Sequence, residues 1–129
     1  MNTHWRRSAS LLLFCALAAR LWAGGSGLNV VVVVNQNSTN SVQLGNYYCE
    51  KRQVPPQNVL RTSWRGSKVS WQKSDFQAII LNPLLAMLST RQLTNQIDYV
   101  LLCMDFPYRV ENGGSLTTSG TNSTTSALF

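Results

Sequence analysis

The sequence predicts an α/β fold, part of a doubly wound, Rossmann-like parallel sheet in the order β-α-β-α-β. Two apolar runs carry this reading. Residues 28–34 (LNVVVVV) and 97–104 (IDYVLLCM) are continuous rather than alternating, as in strands buried on both faces of a parallel sheet. The third observation is the length of the connections, each long enough for the helical crossover that parallel pairing requires.

The chain opens on an export signal. Arg6 and Arg7 supply a basic start, and residues 11–19 (LLLFCALAA) an apolar run of signal-peptide length. Small residues follow at Ala23, Gly24 and Gly25, so cleavage after Ala23 is expected, with Ala18 and Ala19 as alternatives. A spanning helix needs about 20 apolar residues, and Arg20 interrupts this run too early. No membrane span is therefore expected in the mature chain. A lipid anchor on Cys15 is disfavoured by the bulk of Phe14 before it. The resulting division is a leader at 1–23, an α/β domain at 24–112 and a polar segment at 113–129.

After the first strand, Asn35, Gln36, Asn37, Ser38, Thr39 and Asn40 form a polar turn. Asn40 or Ser41 is placed to cap a helix over residues 41–52. Val42, Gly45, Tyr48 and Cys49 recur at helical spacing, Lys51 and Arg52 suit its C-terminal end, and Val54-Pro55-Pro56 stops it. Residues 58–63 (NVLRTS) read as a second strand and residues 64–73 as a polar connection. A second helix over residues 75–90, capped by Ser74, presents Phe76, Ile79, Ile80, Leu84, Met87 and Leu88 on one face. Pro83 inside it predicts a kink, or a helix that begins there. The third strand is the run at 97–104, and Asp105 to Val110 continue from its end. Residues 116–126 (LTTSGTNSTTS) offer no core-forming face and read as a long loop or tail. Three strands ending in such a loop look like the N-terminal piece of a longer protein, or a truncated frame.

Composition excludes several functions for these residues. The only histidine is His4, inside the leader. The mature chain thus has no imidazole for a Ser-His-Asp or Cys-His mechanism, and its two cysteines alone do not make a zinc site. No complete catalytic constellation is present, and no cofactor is indicated. Once Arg6, Arg7 and Arg20 leave with the leader, eight basic residues face five acidic ones. Arg61, Arg65, Lys68 and Lys73 interleave with Trp64 and Trp71, a combination that can bind single-stranded nucleic acid. An exported chain rarely meets it, so a solvated loop anchored by two tryptophans is the expectation, with no nucleic-acid partner. Cys49 and Cys103 leave two readings open. An oxidising compartment permits a disulfide between them, whereas the apolar strand around Cys103 favours two separate buried thiols.

In open parallel sheets, ligands bind beyond the carboxyl ends of the strands. That rule brings Asn35, Gln36, Asn37 and Ser38, after the first strand, near Asp105 and Arg109, after the third. Asp105 fits a general base or a hard-cation ligand, and Arg109 a carboxylate clamp. The structural alternative is that Asp105 caps a turn before Pro107 and Arg109 is solvated. The loop at Asn35 lacks glycine and so cannot wrap a phosphate as G-x-G-x-x-G does. Asn37-Ser38-Thr39 and Asn122-Ser123-Thr124 match the glycosylation sequon.

Several segments together resemble an uncharacterised family of exported bacterial proteins. They are the strand ending in Asn35, the stretch Asn46-Tyr47-Tyr48 with Lys51-Arg52 and Val54-Pro55-Pro56-Gln57-Asn58-Val59, then Asp75-Phe76 with Pro83-Leu84. The last are Ile97-Asp98-Tyr99-Val100-Leu101-Leu102 and Phe106-Pro107-Tyr108-Arg109-Val110. The resemblance implies export and an α/β domain, and carries no activity. Its third strand is also similar to the Tyr-Val-Leu-Leu strand of gingipain-like cysteine peptidases, which implies a caspase-like fold. There the strand ends in Gly-Asp. Here it runs Cys103-Met104-Asp105, so Asp105 matches the acid and the glycine is absent. The peptidase's histidine and cysteine have no counterpart in this sequence. The family's acid after the polar loop has none either, where Ser123-Thr124-Thr125-Ser126-Ala127-Leu128 align.

Secreted material is expected to begin near Gly24. N-terminal sequencing that returns an intact Met1 would overturn the leader.

Overall fold

The computed structural model describes residues 26–67, 69–111 and 120–128. The leader expected over residues 1–23, and its cleavage site, lie outside the described residues. The centre of the molecule is a parallel three-stranded sheet. Strand β1 (Val30–Asn35) lies between β2 (Val59–Thr62) and β4 (Tyr99–Leu102) and pairs with both in parallel. The apolar run therefore becomes the middle strand. All six of its residues are buried.

Alternation along β1 divides the core into two layers. Val31 and Val33 face one cluster with Trp71, Phe76, Ile80, Leu84 and Met87. Val30, Val32 and Val34 face another with Val54 and Cys103, against which Val42, Tyr48 and Cys49 pack. The first cluster is supplied by the second helical segment, the other by helix α1 (Thr39–Arg52). The expected α/β architecture is thus present, with helices on both faces of the sheet.

Helix α1 starts earlier than the sequence indicates. Its cap is Ser38, whose hydroxyl accepts from the Ser41 N–H at 3.0 Å. The expected cap Ser41 is instead inside the first turn, where its Oγ accepts from the backbone N–H of Asn35 at 2.9 Å. That bond binds the strand end to the helix start. The helix ends on Gln53 in the left-handed region (φ 53°), with its N–H donated to the carbonyls of Cys49 and Glu50.

The second helical segment shows what Pro83 does. It begins at α2 (Lys73–Phe76), widens into a π-helical stretch Gln77–Leu81 and continues as α3 (Asn82–Thr90). The helix is neither started nor stopped by the proline. Ser74 is not its cap, because the helix begins one residue before it with Gln72 at the cap position. A proline has no N–H to give to the carbonyl four residues back, and its ring crowds that carbonyl. Here that carbonyl belongs to Ile79, and the Thr62 hydroxyl from β2 donates to it at 3.0 Å. The widened turn relieves the crowding, and a sheet side chain replaces the lost bond.

Two expectations about connections are corrected. Within the polar connection 64–73, Ser70–Gln72 forms β3, with Trp71 completely buried. Within the segment read as a loop or tail, Thr121–Ser123 forms β6. Both join β5 (Arg109–Glu111) in a second sheet of order β3-β5-β6. Residues 112–119 lie outside the described residues. The described part of the polar segment is held by hydrogen bonds as well as by apolar surface. Thr124 donates its N–H to the Tyr108 carbonyl at 2.9 Å and its hydroxyl to the Pro107 carbonyl at 2.7 Å. Ala127 and Leu128 then pack on the larger cluster. Trp71 also donates Nε1–H to Pro107, at 3.1 Å, and its ring centroid lies 4.2 Å from that of Trp64. The two tryptophans thus anchor the basic segment. Among the described residues no helix is long and apolar enough to cross a membrane.

Cys49 and Cys103 are free thiols, so the structure contains no bridge between them. Burial, with Cys49 as a smaller contributor, pushes the Cys103 thiol from 9.0 up to about 11. An unfolded chain therefore releases this proton at a lower pH than the folded one. The resulting stability is present below about pH 9 and is lost as pH rises towards 11. Unfolding by urea between those limits should show a stability loss about 2 kcal/mol larger in the wild type than in Cys103→Ala. Equal losses would show that Cys103 does not drive the change.

Candidate functional site

Three strand ends meet at the carboxyl edge of the parallel sheet. β1 delivers Asn35 and the loop into α1, β2 delivers the loop through Trp64, and β4 delivers the loop through Asp105. The connection from β1 runs to β2 on one side and the next crosses to β4 on the other, which is where such sheets open a crevice. A cleft of about 400 Å³ occupies this place, lined by Asn35, Asn37, Ser38, Trp64, Arg65 and Asp105, with Thr39, Asn40 and Gly66 completing its wall.

Asn35 organises the floor. An asparagine side chain has two donor hydrogens and acceptor capacity for two more bonds, and every one is used. Its Nδ2 donates to the carbonyls of Trp64 and Asp105, each at 3.1 Å. Its Oδ1 accepts the N–H of Trp64 at 3.0 Å and the N–H of Asn37 at 3.1 Å. One buried side chain thus holds all three loops, and its amide is committed to the fold.

Ser38 and Asp105 join the two outer parts of the floor. The Ser38 hydroxyl donates to Asp105 Oδ2 at 2.5 Å while accepting from Ser41. Asp105 adopts a left-handed backbone (φ 62°). Aspartate and asparagine tolerate that region better than most residues, because their short polar side chains bond locally. The turn aims the carboxylate back at α1. A serine that caps a helix and a carboxylate at its N-terminal end also suit the helix dipole.

The rim differs in character. Asn37, Thr39, Asn40 and Arg65 are exposed. Thr39 and Asn40 are also the first residues of α1, and helix geometry leaves their backbone amides without intrahelical acceptors. Among the described residues the rim thus offers donors and one cation around a floor containing one carboxylate, a combination that suits a small polar ligand. Among the described residues no group of three or more His, Cys, Asp or Glu side chains is placed to hold a metal ion.

The structure brings Asn35, Asn37, Ser38 and Asp105 together, as the strand-end rule indicates. Arg109 is elsewhere. It begins β5 in the second sheet, paired across to Ser70 and Ser123, with its guanidinium 5.7 Å from the Tyr108 ring centroid. The irregular turn after Asp105 carries the chain out of the first sheet before residue 109 is reached. Among the described residues the cation lining the cleft is Arg65 instead. The same rule, applied to the end of β2, would have found Arg65 together with Trp64. No family model matches this chain, and no curated protein or solved structure matches it significantly.

Replacing Asn35 tests whether the cleft hangs on one side chain. Asn35→Ala leaves two carbonyls and two amide N–H groups without their partner. The expected cost is about 3 kcal/mol in urea unfolding. A change below about 0.5 kcal/mol would remove Asn35 from this role.

Proposed function

We propose that this chain is the α/β domain of an exported protein, forming its N-terminal part, and that the cleft binds a small polar ligand without transforming it. One observation carries the binding reading. The polar groups of the floor are spent on one another, whereas those of the rim face solvent. Nucleophilic catalysis of the serine or cysteine kind uses an imidazole beside the nucleophile. In this cleft the serine hydroxyl is bonded to a carboxylate and caps a helix, and the sequence has no histidine beyond His4. Export rests on the basic start, apolar run and small residues of the leader.

A second reading has one observation behind it. The cleft is at the carboxyl edge of a parallel sheet, the position that α/β enzymes use. Together with the likeness of β4 to the gingipain-like strand, this fits the N-terminal part of a caspase-like hydrolase completed by a histidine and a cysteine further along. Sequencing the source DNA past the Phe129 codon separates the two. A downstream His-Gly and Cys at strand ends supports the hydrolase, and a stop codon removes it.

The binding reading is tested on the isolated chain by amide chemical shifts, with glycine, acetate, inorganic phosphate and glucose as probes. At least one probe is expected to move the resonances of residues 37–40 and 64–66 together. Arg65→Ala should weaken that probe by about tenfold or more, the worth of one charge-assisted hydrogen bond, and leave the melting temperature unchanged. Shifts scattered over the surface, or equal affinity in Arg65→Ala, would overturn it.

A further inference from the structure

Away from the cleft, one pair of thiols is left without a role. Cys49 lies in the last turns of α1, and Cys103 directly follows β4. Both belong to the apolar layer between α1 and the sheet. Gly45 fixes how close they come. A Cβ built on Gly45 would lie 3.3 Å from Cys103 Sγ and 2.6 Å from Val34 Cγ2. The sulfur therefore rests against the bare backbone of α1 at that turn. Cys49 is four residues further along the helix, on the same face. Helical side chains lean towards the N-terminus, over the preceding turn. The Cys49 side chain thus leans along α1 towards Gly45 and the sulfur that rests there.

The two thiols differ in access. Cys49 is half-buried and Cys103 is only 5% exposed. Burial raises the Cys49 thiol while Arg61 acts in the opposite direction, whereas burial and Cys49 both raise Cys103. Cys49 is the more accessible thiol and meets an oxidant first.

We propose that Cys49 and Cys103 are a redox couple, closed by a small disulfide oxidant into a bridge between α1 and the end of β4. With oxidised glutathione, the Cys49 thiolate attacks one sulfur of the oxidant after giving its proton to solvent. The glutathione S–S bond breaks, and one glutathione leaves as its thiolate. Cys103 then loses its proton and attacks the sulfur of Cys49, and the second glutathione leaves. Two protein thiols are oxidised to one disulfide, and one glutathione disulfide is reduced to two thiols. The bridge joins the same two parts of the chain as the Ser38–Asp105 hydrogen bond, on the layer behind the cleft. It rests neither on ligand binding nor on export.

The test is a non-reduced peptide map of the full chain after incubation with excess oxidised glutathione at about pH 8, a pH at which thiolate begins to form. The expected product is the Cys49 peptide joined to the Cys103 peptide, two hydrogens lighter than the separate reduced pair. Cys103→Ser should stop at a glutathione adduct on Cys49, and Cys49→Ser should leave Cys103 unmodified in the folded chain. Three results would overturn the proposal. One is a wild type that accumulates the Cys49 adduct while Cys103 remains a thiol. Another is a bridge to Cys15. The third is two free thiols after a time in which a urea-unfolded sample has oxidised.

Discussion

The carboxyl edge of this sheet depends on the saturation of one buried amide. Asn35 ends the central strand, where the backbone must turn out of the sheet and three connections converge. Loops at such a place carry backbone groups that strand pairing no longer satisfies, and burying them unpaired is costly. A single asparagine answers for four of these groups at once. Its own backbone N–H is taken by Ser41. The Ser38–Asp105 contact, the left-handed turn at Asp105 and the placement of Arg65 all follow from loops held in register by that side chain.

The same logic of replaced partners recurs at Pro83. Its ring removes one helical hydrogen bond, and Thr62 supplies the substitute from the neighbouring strand. The helix is thereby tied to β2, and the π-helical stretch keeps Ile80 and Leu84 on the face that meets Val31 and Val33. Local departures from ideal geometry are thus stabilised by polar contacts to the sheet, while the valines of β1 supply apolar surface to both faces.

The sheet was legible because its signals are local. An unbroken valine run has few places to go except the middle of a parallel sheet, and the strand-end rule then brought Asn35, Asn37, Ser38 and Asp105 together. β3 and β6 were hidden for the opposite reason. Ser70–Gln72 and Thr121–Ser123 have three residues each and no periodicity of their own, and they exist through pairing with β5. Thr124 is buried by two hydrogen bonds to a loop that sequence alone could not place beside it. Arg109 was misplaced because sequence proximity to Asp105 concealed a change of sheet. The helix cap was misjudged by a few residues because Ser38, Asn40 and Ser41 are all competent caps, and the choice was made by Asp105, far away in the chain.

The commitment of Asn35 also bears on chemical ageing. Asparagines deamidate when the backbone nitrogen of the following residue attacks the side-chain carbonyl carbon and closes a succinimide ring. Here that nitrogen belongs to Gln36, whose N–H is donated to the Thr62 carbonyl at 2.8 Å. The side chain it would attack is held by bonds at both of its polar atoms. The residue whose conversion to aspartate would do most damage to the cleft, turning two donors into acceptors against two carbonyls, is therefore held out of the geometry that the conversion requires. Slow hydrolytic wear in this protein falls first on its exposed amides, and the buried floor of the cleft outlasts them.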